Sequence, residues 1–191
     1  MQTSKLLYFG YCANIFVLTG VLCGSLYIQL VLNEFPCPLC MLQRMAMILC
    51  ALSLVYMLSK TLYYGYPNAS AVSVSNGLNI VSSLVGASIS IRQILLHIMP
   101  SDPGYGDAIL GFHIYTWALI VFICEIAFSA GVMLLNPNHW DKLPLSWHKP
   151  IKVLFYWLAI VVVIFLLATF NEEGFNWVLP DNPTENAFIN F

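Results

Sequence analysis

FPCPLCMLQRMAMILCALSLVYMLS, residues 35–59, joins a break in the chain to a long apolar run. Residues 41–59 are long and apolar enough for one membrane-crossing helix, and Pro36 marks where the preceding helix has stopped. Working outward, four further runs share that character: 6–32, 73–95, 109–135 and 151–170. Each has roughly 20 residues or more, enough to cross a hydrocarbon core of about 30 Å. Backbone groups in lipid must be satisfied within their own segment, so these runs read as helices. The fold expected is an all-α integral membrane helical bundle of five spans. The run 6–32 is too long for a signal peptide and has no small-residue cleavage site.

Composition agrees. The chain has 191 residues, of which 60% are hydrophobic and only 8% charged, and its mean hydropathy is +0.80. A soluble domain of this length does not need so much apolar surface. A net charge of -2 carries little information when so few charges exist. There is no basic patch for nucleic acid, no phosphate-cradling glycine loop and no zinc-type spacing of cysteine and histidine.

The lysines orient the bundle. Lys5, Lys60, Lys142, Lys149 and Lys152 all fall on one side if the N-terminus is cytoplasmic, while Glu34, Asp102, Asp107, Glu172, Glu173, Asp181 and Glu185 fall on the other. Basic residues near span ends stay inside, so the paired cysteines face the exterior, which in a bacterial inner membrane is the oxidising periplasm. The tail 171–191 would lie outside as well; acidic and carrying Pro180 and Pro183, it reads as poorly ordered. Gly20, Gly24, Ser25, Gly86, Ala87 and Ser88 are available for close helix contact. Trp140 and Trp147, with His148, fit an inner interfacial belt.

Four of the six cysteines, Cys12, Cys23, Cys50 and Cys124, lie inside apolar runs and read as small hydrophobes. Cys37-Pro38-Leu39-Cys40 is different: two thiols two residues apart can close a small, reversible disulfide. Pro38 suits the first helical position, which puts Cys37 near the N-cap and Cys40 in the first turn. The positive end of that helix favours a thiolate, and Cys40 is expected to be the more acidic and more shielded sulfur. Arg44, four residues on, shares the face of Cys40, and Gln43 can hydrogen-bond at the same surface. Arg44 has the alternative of snorkelling to the headgroups, and the pair has the alternatives of binding a soft metal or forming a static disulfide.

The run 35–44 at the start of a second span resembles the DsbB family of disulfide bond formation proteins. Arg92-Gln-Ile-Leu-Leu-His97, with Pro100 shortly after, is similar to the outer end of that family's third span. The likeness covers residues 1–135, a four-helix core with an external CxxC loop. It leaves 136–170 as a cytoplasmic loop and fifth transmembrane helix and 171–191 as an acidic external tail. It implies a protein that oxidises a periplasmic thioredoxin-like thiol oxidase of the DsbA type and passes two electrons to a membrane quinone, ubiquinone or menaquinone. No flavin motif is visible and no metal is implied. Carried over by position, Cys40 is the sulfur beside the quinone, Cys37 the sulfur that exchanges, and Arg44 the quinone-side cation. The partner's thiolate would attack Cys37, the freed Cys40 thiolate would donate to the quinone, and the partner's second thiol would resolve the mixed disulfide.

Two features depart from the pattern. Well-studied members of the family carry a second cysteine pair between the third and fourth spans, where residues 99–111 here have none, and the fifth span is additional. Cys37 must then meet the partner directly or a further protein must relay. Arg92 either flanks the quinone head or reaches the surface, and His97 and His113 border the outer loop as proton relays or as ordinary hydrogen-bonding groups. Pro103-Gly104-Tyr105-Gly106 signals a tight, lid-like turn. Glu125, near the middle of the fourth span, reads as a protonated carboxyl bonded across the bundle. A membrane scaffold whose cysteines bind metal or lock the loop is the competing function.

Overall fold

The computed structural model describes residues 2–99, 102, 104–106, 108–135, 137, 140–175 and 187–188. Expectations resting on Pro100, Pro103, Asp107, Pro180, Asp181, Pro183 and Glu185 lie outside the described residues. Five helices follow in order: α1 (Gln2–Val31), α2 (Pro38–Tyr64), α3 (Ala69–Leu96), α4 (Ile114–Leu135) and α5 (Leu145–Glu173). All five are long and apolar enough to cross a membrane, and no strand occurs among the described residues. The chain is a multi-pass, all-α membrane bundle.

Local chemistry sets the ends. Asn68 caps α3 by accepting from the Ala71 amide at 2.7 Å, and Gly65, at φ 83°, ends α2 with its own N–H on the Thr61 carbonyl. α4 starts at Ile114 rather than at 109. Ile109 and Phe112 exchange backbone hydrogen bonds of 2.8 and 3.1 Å around Leu110 and Gly111, whose φ angles of 52° and 83° make a two-residue left-handed turn. α5 begins at Leu145, before the expected 151, because Pro144 serves as its N-cap and Pro150 is accommodated inside the helix. Pro150 has no N–H to give the carbonyl one turn back, a loss of one bond near the helix start.

Contacts between distant segments sort the ends of the bundle. The Tyr8 hydroxyl donates to the Asp141 carbonyl at 2.9 Å, the Asp141 amide to Ser4 Oγ at 3.2 Å, and the Leu143 amide to the Gly65 carbonyl at 2.8 Å. These bonds gather the start of α1, the α2–α3 turn and the α4–α5 link at one end. The segments bearing all five lysines meet there. The cysteine turn opens the opposite end of α2, whose 27 residues separate the two by about 40 Å at 1.5 Å per residue.

α3 packs between α2 and α4, while α5 lies against α1. The inward face of α3 carries Asn76, Asn79, Ser83, Gly86, Ser90 and Gln93, alternating three and four residues apart, and all six are buried. Small and polar side chains suit a helix interface in lipid, where apolar contact gives no advantage over the solvent. Glu125 belongs to this interface: its Oε2 accepts from Asn79 Nδ2 at 2.9 Å, a bond across the bundle between α4 and α3. Cys50 joins it at 3.2 Å from Ser83 Oγ, whereas Cys124 faces outward.

Of the small residues singled out, Gly86 sits at the tightest contact. A Cβ there would lie 2.2 Å from the Phe122 ring, whereas Gly20 and Gly24 have open space and Ser88 is exposed. Gly86→Ala is therefore expected to cost about 1–3 kcal/mol through overpacking, read as a lower thermal midpoint in detergent. A Gly86→Ala, Phe122→Leu double variant recovers part of the loss. An unchanged midpoint for Gly86→Ala would show that the ring yields freely.

Candidate functional site

Cys37 is the N-cap of α2, with φ -69° and ψ 162°, and Pro38 occupies the first helical position. The Cys37 sulfur accepts from the Cys40 amide at 3.2 Å, and the Cys37 carbonyl accepts from the Met41 amide at 3.0 Å. Both cysteines are free thiols, their sulfurs 2.7 Å apart. The hydrogen bond to Cys40, with burial second, pushes the Cys37 thiol well above its ordinary range.

Cys40 is half-buried and opens into a cavity, while Cys37 is 6% exposed. Its cover is partly the Gln93 side chain, 1% exposed, whose Nε2 donates to both sulfurs at 3.2 and 3.3 Å. Gln43 Nε2 donates in turn to Gln93 Oε1 at 2.8 Å, which fixes which end of the Gln93 amide meets the sulfurs.

The outer loop lies over the same turn. The Tyr105 hydroxyl donates to the Phe35 carbonyl at 2.6 Å, two residues before Cys37. Burial first, and then the neighbouring sulfurs, pushes the Tyr105 phenol up, so it stays a donor. Gly104 and Gly106, at φ 78° and 70°, let the loop turn there. Asp102 anchors the near side, accepting from the Gly104 amide at 2.8 Å and facing His97 Nδ1 at 3.1 Å. These two partners hold its carboxyl below the usual range.

The cavity is about 430 Å3 and is walled by α1, α2, α4 and the outer loop. Cys40, Gln43 and Arg44 line it on α2, Ser25 and Ile28 on α1, and Tyr115, Trp117 and Val121 on α4. Its size falls within the range of small-molecule pockets, and its walls are mostly apolar with a few polar groups gathered by the cysteines. Arg44 is tied inward rather than reaching for headgroups. Its Nη1 donates to Gln29 Oε1 at 2.5 Å and its Nη2 to the Ser25 carbonyl at 3.2 Å, and its guanidinium lies 5.3 Å from the centre of the Phe165 ring.

The structure thus brings together Cys37, Cys40, Gln43 and Arg44, and leaves Arg92 and His97 off the cavity wall. Arg92 is exposed because it is one residue, or 100° of helical rotation, from the inward Gln93. His97 caps α3 and stacks on Tyr115, with centroids 5.8 Å apart; His113 stacks on the same ring at 5.2 Å. His97 therefore neighbours the cavity through Tyr115, and His113 through Tyr115 and through the Gly106 carbonyl, 3.0 Å from its Nδ1.

Among the site residues that escaped the reading of the sequence are Gln93 and Glu172. Gln93 was recoverable from the three-and-four alternation that continues the inward face of α3. Glu172 was assigned to an acidic outer tail, yet it lies in the last turn of α5, is 5% exposed, and accepts from Gln29 Nε2 at 2.8 Å. No local pattern marks it.

Gln93→Leu removes both donors to the sulfurs. Alkylation of the reduced pair by iodoacetamide at pH 7 is expected to slow about tenfold, the effect of one hydrogen bond to a charged group. An unchanged rate would mean that the amide does not stabilise the reactive sulfur.

The family model described as "Disulfide bond formation protein DsbB" matches residues 9–105. Among curated relatives, Disulfide bond formation protein B 1 of Pseudomonas fluorescens is 36% identical over 90 residues, covering 44% of this chain and 50% of that protein. Disulfide bond formation protein B of Chromobacterium violaceum is 37% identical over 84 residues, covering 44% of this chain and 47% of that protein. The Burkholderia pseudomallei protein of the same name is 31% identical over 84 residues, covering 44% and 46%. The chain spans about half the length of the curated relatives it matches. No solved structure matches it.

Proposed function

Because the chain belongs to the DsbB family of disulfide bond formation proteins, we propose that it is a membrane thiol oxidase. It takes electrons from a reduced thioredoxin-like, disulfide-forming protein of the periplasm and passes them to a membrane quinone. The observation that carries this reading is the position of Cys40: its sulfur belongs to a dithiol on one side and lines an apolar cavity with Arg44 and Gln43 on the other. Such a wall suits a quinone, whose ring needs polar groups at its oxygens and apolar cover for its tail. The lysine-bearing end then faces the cytoplasm and the cysteine turn the periplasm.

The chemistry of the chain's own residues follows. With Cys37 and Cys40 in a disulfide, a thiolate of the partner attacks the Cys37 sulfur; the new bond is a mixed disulfide, the old one breaks, and Cys40 leaves as a thiolate. Gln93 Nε2 is placed to donate to that thiolate, and the Arg44 cation lies one turn along the same helix. The partner's second thiol resolves the mixed disulfide and releases Cys37 as a thiol. Cys37 must be uncovered for the first attack, which requires the Tyr105 to Phe35 bond to open. Returning the Cys40 thiolate and the Cys37 thiol to the disulfide removes two electrons and one proton; a bound quinone would accept both electrons and this proton, and would take its second proton from solvent.

The test is anaerobic mixing of the purified protein with a reduced periplasmic thioredoxin-like oxidase and decylubiquinone, following quinone absorbance. Reduction of the quinone matched by loss of the partner's thiols is expected. No reduction above a Cys37→Ser, Cys40→Ser control would remove the reading, as would finding the cysteine turn in the cytosol.

A further inference from the structure

α5 lies wholly beyond residues 9–105, yet it supplies two groups to the surroundings of Arg44. Phe165 places its ring under the guanidinium, and Glu172, seven residues and two turns further on the same face, reaches it through Gln29. A buried carboxylate at the end of an apolar helix is costly unless it is partnered. Here one oxygen accepts from Gln29 Nε2, while Oε1 is buried with no hydrogen-bond partner among the described residues.

The Gln29 amide has one accepting and one donating end. Its oxygen takes the Arg44 Nη1 hydrogen and its nitrogen gives to Glu172. Reversed, it would set N–H against guanidinium and carbonyl against carboxylate, so Glu172 settles the orientation that lets Gln29 hold Arg44. We propose that Glu172 is a positioning residue of the acceptor site, holding Arg44 in the cavity wall through Gln29. This rests on the reading of that cavity as the quinone site. The fifth helix is then part of the site rather than an appendage to a four-helix core.

The test uses the full chain purified in detergent, with decylubiquinone as the probe. Binding is read from quenching of tryptophan fluorescence, since Trp117 lines the cavity, and turnover is read beside it. Glu172→Ala is expected to weaken decylubiquinone binding and to raise its KM about tenfold, with kcat and the KM of the thiol partner within about twofold of the parent. Glu172→Gln keeps an acceptor for Gln29 and stays within about threefold of the parent. Binding by Glu172→Ala equal to the parent, beside weakened binding by Arg44→Met, overturns the inference and leaves the quinone reading standing. A parent chain that binds no decylubiquinone overturns both. Glu172→Gln as weak as Glu172→Ala also overturns it, because a retained acceptor would then not matter. Should Glu172→Ala not fold, Gln29→Leu cuts the same link at its middle and carries the same two outcomes.

Discussion

Cys40→Ser protein is expected to lose thiol-driven reduction of decylubiquinone by on the order of a thousandfold or more, since a serine hydroxyl can neither form the disulfide nor leave as an anion near neutral pH. The loss alone does not assign roles, and trapping does. A partner reduced to a single reactive cysteine and activated as a mixed disulfide with a small thiol should transfer onto Cys37 of the Cys40→Ser protein and stay there. No neighbouring thiol remains to release it. Cys37→Ser leaves only Cys40, which opens to the cavity rather than to the outer surface, and should trap little. Equal trapping by the two variants on a non-reducing gel would exclude the division of labour proposed for the pair. Cys37 is itself only 6% exposed, so trapping should be accelerated by Tyr105→Phe, which removes the hydroxyl that pins the outer loop to Phe35.

Arg44→Met should raise the KM for decylubiquinone about thirtyfold, or roughly 2 kcal/mol, while leaving the KM for the thiol partner within about twofold. The physical basis is the arrangement around the guanidinium. Two of its nitrogens are bound to Gln29 and to the Ser25 carbonyl, and its face lies over Phe165. Methionine keeps the apolar stem and loses the charge and the donors. Lysine is not an equivalent replacement, because a single ammonium has no planar fork with which to span Gln29 and Ser25 while lying flat over a ring. Arg44→Lys is therefore expected to fall between the parent and Arg44→Met. A quinone KM unchanged in Arg44→Met would separate this arginine from acceptor binding and leave it a structural tie between α1, α2 and α5.

The missing second cysteine pair acquires a structural context. The outer loop that lacks it is held over the cysteine turn through Tyr105 to Phe35, and Asp102 ties it to the end of α3 at His97 and to its own Gly104. In the exchange proposed for the pair, a partner that reaches Cys37 would meet the surface this loop covers, so release of the loop would belong to that exchange.

Much of the fold was legible because its causes are local. Apolar runs separated by prolines and turn residues give five helices, and the lysines confined to alternate connections gather at one end of the bundle. The errors fall where another local rule intervened. The start of α4 moved to Ile114 because Leu110 and Gly111 close a left-handed turn, and the start of α5 moved to Leu145 because Pro144 can cap a helix that then absorbs Pro150. That the dithiol and Arg44 are neighbours was likewise legible, since they lie within the cap and first two turns of α2.

By itself, then, the sequence determined a membrane bundle carrying a dithiol at one helix start, since hydropathy, proline and the 3.6-residue period act between residues close along the chain. Only the tertiary structure decided what surrounds that dithiol. Gln93 comes to the sulfurs from α3, Tyr105 comes from the outer loop, and Glu172 reaches Gln29 from 143 residues away. Such meetings depend on the rotation and depth at which helices pack, quantities set by the whole bundle and carried by no single segment.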